Sequence, residues 1–440
     1  MNARDLLAEL REVVAKLQAE TGTPGVAFGL VADGTPASDA LGTTSVTDPR
    51  DVTTGTLFRL CSVTKPMTST VAMSLVEEGA LDLDRPVVEQ LPDLALADAD
   101  TRAGLTLRHL LTHTSGLEGE WRGDLERYGR NDDALARLVA DYPRLAQYAP
   151  LGRYWGYCNT GYWLAGHLVA TVSGRSYEDV LRERVFAPLG MSTAALAAEE
   201  VVLQRVALPH RPSGVDQVPI PSFAFPRARV SSGGVVASID DLLRFAASSL
   251  GHGPQVVGAA SLAQLREPAV ASDGPDAYQS LGWQVDGDVV SHSGSYKGYA
   301  SLLLLIPSAD LAVAVLTNSD SGGRLGRGVR SWAAERVLGR SAHEPEPVTV
   351  PVAVLRRYAG RYAHPSVVSS RFFVGDDGGL RVEVTKAPGQ VVESGCVAYS
   401  DTDFEISGGP LAGTAFTFLP DDAGDPAFLR IGLRLGARIA

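Results

Sequence analysis

Ser62-Val63-Thr64-Lys65 places a hydroxyl and an amine three residues apart. On a helix that spacing puts both side chains on one face, so the amine can reach the hydroxyl. A serine at pH 7 is a poor nucleophile until a base takes its proton. Lysine serves as that base when its pKa falls, through desolvation or a neighbouring positive group. A helix start also aims backbone N–H groups at the reaction centre. The chemistry expected of the pair is acyl transfer through an ester on Ser62.

Two further patterns complement it. In Tyr157-Cys158-Asn159, a phenol beside a lysine ammonium can shuttle protons. The asparagine amide can bind both an ammonium and a substrate amide carbonyl. In His292-Ser293-Gly294, a strand edge beside the nucleophile can take substrate backbone as an added strand. Glycine at 294 lets the substrate approach closely. The N–H groups of Ser62 and Ser295 are the candidate oxyanion hole.

These residues need elements to hold them. Leu6, Leu7, Leu10, Val13, Val14 and Leu17 share one helical face and predict an amphipathic first helix. GTPGVAFGLVADG, from Gly22, reads as a buried strand and turn. A helix is expected from Thr64 through MTSTVAMSLVEEG, stopped by Gly79. The middle of the chain reads as mostly helical. Strands resume near Leu281, and Ser301–Ile306 and Leu311–Leu316 are joined by the turn Pro307-Ser308-Ala309-Asp310. SGGRLGRG at 321–328 reads as a loop, with a helix over Val329–Leu338. The expected class is α+β: an antiparallel sheet flanked by helices, plus a helical region. The catalytic domain spans residues 1–340 and a Pro-rich, charged linker 341–352. Short alternating strands over 353–440 predict a small antiparallel β-barrel.

Other features point elsewhere or nowhere. His109 and His113, four apart on a predicted helix, could form a metal pair, yet no third ligand is evident. Neither metal nor cofactor is expected. Three cysteines are too few and too odd in number for a disulfide framework, and Cys61 and Cys158 read as small core fillers. A net charge of −12 repels phosphate backbones and anionic lipid, so nucleic acid and membrane surfaces are not expected partners. The N-terminus lacks the basic start and apolar run of a secretory signal, and no apolar stretch is long enough to span a bilayer, so the expected location is the cytoplasm.

Taken together and in order, the three patterns resemble the serine β-lactamase and penicillin-binding-protein superfamily. The branch most similar holds class C β-lactamases, DD-carboxypeptidases, D-stereospecific aminopeptidases and related esterases. The resemblance covers about residues 5–340 and includes FRLCSVTKPMTS, LTLRHLLTHTSGL, YWGYCNTGYWLAG, VFAPLGM, SSGGVVASIDDLLRF and LLLLIPSADLAVAVLTN. It implies that Ser62 is acylated, that Lys65 and Tyr157 share the base and acid work, and that Asn159 binds the substrate amide and orients Lys65. His292 stands where many β-lactamases carry lysine, and Cys158 where serine is usual, which turns the reading away from β-lactam hydrolysis.

With a lipocalin-like barrel appended, the chain looks like a penicillin-binding-protein-type thioesterase. Such enzymes take a nonribosomal peptide thioester onto serine and release it as a head-to-tail macrocycle. The implied partner is a peptide or small acyl substrate, presented on a carrier protein when it is a thioester. The alternative is a D-stereospecific aminopeptidase, amidase or esterase. A more remote one is a sensor or binding protein that is acylated once and does not turn over. Arg434 and Arg438, near the end of the barrel, are candidate hooks for a substrate carboxylate.

Overall fold

The computed structural model describes residues 2–120, 123–272, 277–340, 346–364, 367–387 and 390–439. The chain forms two compact units. One comprises Met1–Pro92, Leu125–Val139 and Tyr162–Ala342, and the other Asp93–Asp124, Ala140–Gly161 and His343–Ala440.

The first unit is built on an eight-stranded antiparallel sheet. Its order is Thr35–Gly42, Gly25–Ala32, Leu311–Thr317, Tyr299–Ile306, Val289–Tyr296, Gln284–Asp286, Ala277–Gln279 and Val270–Ala271. The central strands are buried on both faces, which is why they read as continuous apolar runs rather than alternating ones. Val26, Phe28, Leu30 and Ala32 point to one face, where the helices Ala3–Thr21 and Gly322–Leu338 pack. Leu6, Leu10 and Val14 are buried there and Leu7 and Leu17 half-buried, as the amphipathic pattern predicts. The helix Ile239–Leu250 packs on the opposite face.

Two local expectations are corrected. The segment 321–328 is not a loop: the helix begins at Gly322, seven residues before the expected Val329. Its glycines are packing sites, since a Cβ at 322 would lie 1.8 Å from Thr317 Oγ1 and one at 328 would lie 2.7 Å from Leu17. Close approach to the sheet and the first helix offsets the poor helix propensity of glycine. Nor do His109 and His113 share a helix. That helix is Leu107–Leu111, and His113 lies beyond it with φ +60°.

In the second unit, eight strands from Gly360–His364 to Arg434–Arg438 close into an antiparallel barrel in sequential order. Tyr358, Tyr362, Phe372, Phe404, Phe416 and Phe418 fill its core with edge-on and stacked rings. The expected α+β class with a small barrel at the C-terminus is therefore present. Of the expected linker, residues 341–345 lie outside the described residues. Val348 then bridges to Ala398, and a short helix, Val352–Tyr358, leads into the first barrel strand. No helix among the described residues is long and apolar enough to cross a membrane.

Candidate active site

Ser62 lies in a 3-10 turn, Cys61–Val63, that runs directly into the helix Thr64–Glu77. Cys61 enters the turn with φ +50°, a left-handed conformation that is costly for a residue with a Cβ. Neighbouring backbone holds it there: Leu60 N donates to Val235 O at 2.8 Å, and Val235 N donates to Thr64 Oγ1 at 3.2 Å. Further along the helix, Thr68 Oγ1 donates to Ser231 O at 2.7 Å. The residues Ser231–Val235 thus clamp the first two turns after Ser62.

Lys65 is fully buried. Its Nζ lies 3.4 Å from Ser62 Oγ and donates to Ser232 O at 2.9 Å, with the Tyr162 ring centroid 5.3 Å away. Ser232 is itself fixed, because Trp163 Nε1 donates to its hydroxyl at 2.7 Å. The spacing-based expectation that amine and hydroxyl meet on one face agrees with this geometry.

The strand Val289–Tyr296 passes beside the nucleophile. A Cβ at Gly294 would fall 2.7 Å from both Ser62 N and Leu60 O, so only glycine allows this approach. Ser301, paired with Gly294, donates its hydroxyl to Leu60 O at 2.6 Å and ties the sheet to the turn. The ladder to Gln284–Asp286 ends at Ser291, while pairing to Tyr299–Ile306 continues to Tyr296. Among the described strands, 292–296 therefore forms an edge, as a site for an added substrate strand requires. Ser295 is exposed on that edge.

His292 is 2% exposed, and its Nδ1 lies 2.7 Å from Ser293 O. Burial, reinforced by the nearby Lys65 charge, pushes the imidazole down to about 3. Burial thus disfavours the charged form of the ring. The Cys61 thiol is pushed up to about 12 by burial, which leaves it inert as a nucleophile and fits a core filler.

Tyr157 and Asn159 belong to the second unit. His113 organises their segment: Cys158 N donates to His113 Nδ1 at 3.0 Å, Gly156 N donates to His113 O at 3.0 Å, and the His113 and Tyr157 rings lie 4.5 Å apart. His109 is occupied differently, its Nδ1 accepting from Thr106 N in a capping box. Tyr157 N donates to Leu433 O at 2.7 Å, and Asn159 N donates to Gly119 O at 2.8 Å. Asn159 Nδ2 donates to Glu120 Oε2 at 2.6 Å.

Arg434 sits in this same cluster. It donates to Gly119 O at 2.9 Å, to Tyr157 O, and to Glu120 Oε2 at 2.9 Å. Arg438 lies apart from it and donates to Arg357 O and Ala359 O within the barrel. The structure thus groups Ser62, Lys65, His292, Gly294 and Ser295 in one unit, and Tyr157, Asn159 and Arg434 in the other. Sequence reasoning missed Ser232, Trp163, His113's supporting contacts and Glu120. The SSGG run around Ser232 was visible as a motif, but nothing in it announces that a backbone carbonyl receives the lysine.

This sheet-and-helix fold, with a serine at the start of a buried helix and a lysine one turn on, is that of the β-lactamase-like serine hydrolases. The chain matches the Beta-lactamase family over residues 10–337 and belongs to it. It is 34% identical over 326 residues to penicillin-binding protein 4 of Amycolatopsis lactamdurans, covering 71% of this chain and 85% of that protein. It is 28% identical over 378 residues to a D-aminopeptidase of Gluconobacter oxydans, covering 80% of this chain and 66% of that one. Among solved structures, SurE aligns over 98% of this chain and 99% of its own with a TM-score of 0.80 at 24% identity. The similarity to SurE extends through the barrel.

Proposed function

We propose that the protein is a serine acyltransferase that takes a peptide thioester with a D-residue at its C-terminus onto Ser62 and releases it as a head-to-tail macrocycle. Ser62 Oγ attacks the thioester carbonyl while Lys65 and Tyr157 remove its proton. The N–H groups of Ser62 and Ser295 hold the oxyanion. The C–S bond breaks, and the thiol leaves with the proton. The peptide's own N-terminal amine then attacks the Ser62 ester. The C–O bond breaks, an amide forms, and the amine's proton returns to the serine. A carrier-bound thioester implies work in the cytoplasm.

The observation that carries the acyl-enzyme chemistry is the fully buried Lys65 amine, 3.4 Å from Ser62 Oγ. An amine within reach of a serine hydroxyl is the pairing that a lysine base requires. Support for a D-residue comes from the D-aminopeptidase relative and from SurE, whose fold the chain shares and which has also been solved with D-Leu.

The D-aminopeptidase similarity, spanning 80% of the chain, favours a second reading: hydrolysis of D-residue amides, peptides or esters. Both readings share the first half-reaction and differ in whether an amine or water ends it. The test is to incubate the enzyme with a linear peptide thioester ending in a D-residue and weigh the products. A product lighter than the free acid by one water supports the cyclase. Free acid alone sinks it and leaves the hydrolase.

A further inference from the structure

Ser231 and Ser232 each bond in two directions. Their carbonyls serve the helix that follows the nucleophile: Thr68 Oγ1 donates to Ser231 O at 2.7 Å, and Lys65 Nζ donates to Ser232 O at 2.9 Å. Their hydroxyls serve Tyr162 and Trp163: Ser231 Oγ donates to Tyr162 O at 2.9 Å, and Trp163 Nε1 donates to Ser232 Oγ at 2.7 Å. Two consecutive residues of one helix thus grip two consecutive serines, and these grip the first turns of the nucleophile's helix. All of these groups lie in the first unit. The approach is close, since a Cβ at Gly166 would fall 2.5 Å from both Cβ and Oγ of Ser231.

The grip on Ser232 leaves it little freedom. Its hydroxyl accepts from Trp163 and donates to Arg229 O at 3.1 Å, so its proton and one lone pair are both engaged. Trp163 is fully buried, with the Arg229 guanidinium 5.3 Å from the centre of its ring. An indole N–H only donates, so the direction of its bond is settled. A lysine acting as base must turn a lone pair, not an N–H, toward the serine hydroxyl. Tying one amine N–H to Ser232 O restricts that turn, so the place of the carbonyl sets where the lone pair is aimed. Misplacing a reacting group by about 1 Å costs on the order of 100-fold in rate. The position of the Ser232 peptide therefore bears directly on acylation.

We propose that Trp163 is a positioning residue for the base: its indole N–H fixes the Ser232 peptide, and the Ser232 carbonyl in turn aims the Lys65 amine at Ser62 Oγ. This rests on the proposal that Lys65 serves acylation of Ser62. It adds that the rate of acylation, but not the binding of substrate, depends on a tryptophan two hydrogen bonds away from the base.

The test measures burst-phase acylation by the nitrophenyl ester of N-acetyl-D-leucine, resolved into a saturating rate and an apparent Kd. Trp163→Phe keeps an aromatic ring and removes the N–H. Its saturating rate is expected to fall by about 10–100-fold, with Kd changed less than about 2-fold. Ser232→Ala removes the hydroxyl at the other end of the bond and should match the Trp163→Phe rate to within about 3-fold. The double variant should be no more than about 3-fold slower than the slower single variant, because both lose the same bond. In a Lys65→Ala background, Trp163→Phe should change the rate less than about 2-fold, because the amine it positions is gone. Should Trp163→Phe fail to fold, Ser232→Ala carries the same comparison with and without Lys65. An unchanged saturating rate, a loss expressed in Kd alone, multiplicative losses in the double variant, or an undiminished effect without Lys65 would each overturn the proposal. Ser62→Ala tests the underlying function separately: it should abolish acylation, and acylation at the parent's rate there removes that reading whatever the Trp163 variants do.

Discussion

The His292 imidazole is kept neutral by burial first and by the Lys65 charge second, with a pKa near 3. An unfolded histidine takes its proton near pH 6.5. Between those values the unfolded chain binds more protons than the folded one. Stability contributed by neutral His292 is therefore complete above about pH 6.5 and is lost as pH falls toward 3, at up to about 1.4 kcal/mol per pH unit. Urea melts at pH 7, 6 and 5 should show a shallower decline in His292→Gln than in the parent. Equal slopes would mean that the ring is protonated in the folded state. Lys65 makes a separate prediction. Replacing it by Ala should leave substrate binding nearly intact and slow acylation by about 10²–10⁴-fold, read as burst rate with an activated ester. At this scale the sequence was informative, because a three-residue spacing on one helix is a local matter. The carbonyl of Ser232 that receives Lys65 was not legible, since it comes from 167 residues away.

The strand Val289–Tyr296 and the helix Thr64–Glu77 meet at one glycine. Gly294→Ala places a Cβ 2.7 Å from Ser62 N and Leu60 O, both backbone atoms that cannot swing aside. The turn or the strand must shift, so acylation is expected to fall by about 100-fold, with a stability loss of about 1–3 kcal/mol. Unchanged burst kinetics in that variant would show that the close approach is dispensable. Elements with a clean period or a continuous apolar run were readable: the first helix and the hairpin strands of the barrel by their period, the strands Gly25–Ala32 and Leu311–Thr317 by their unbroken apolar run. The helix from Gly322 was not. Four of its first seven residues, Gly322, Gly323, Gly326 and Gly328, are glycines that propensity assigns to a loop. What overrides propensity is packing against Thr317 and Leu17, which local sequence does not contain. The His109–His113 pairing failed for a related reason, since the helix stops at Leu111 and the backbone reverses at His113.

Over the whole molecule, the second unit joins a barrel from the end of the chain to residues 93–124 and 140–161. Nothing local forecasts that union. It depends on hydrogen bonds such as Tyr157 N to Leu433 O, made across 276 positions of sequence. The barrel itself was legible because its strands alternate and its turns carry Asp and Gly. Within this unit, protection of the Tyr157 amide should depend on the barrel. Phe418→Ala, which empties a ring in contact with Tyr358, Tyr362, Phe372, Phe404 and Phe416, should cost about 3–5 kcal/mol. It should also raise hydrogen exchange at Tyr157 together with the barrel amides. Loss of protection confined to the barrel strands would separate the two.

The central claim is that Ser62 becomes acylated. Intact-protein mass spectrometry of the enzyme mixed with a D-residue thioester tests it most directly. The parent should gain the mass of the acyl group at early times, with the modified peptide containing Ser62, and Ser62→Ala should gain nothing and release no thiol above the uncatalysed rate. An adduct on another residue, or turnover by Ser62→Ala at the parent's rate, would contradict the account.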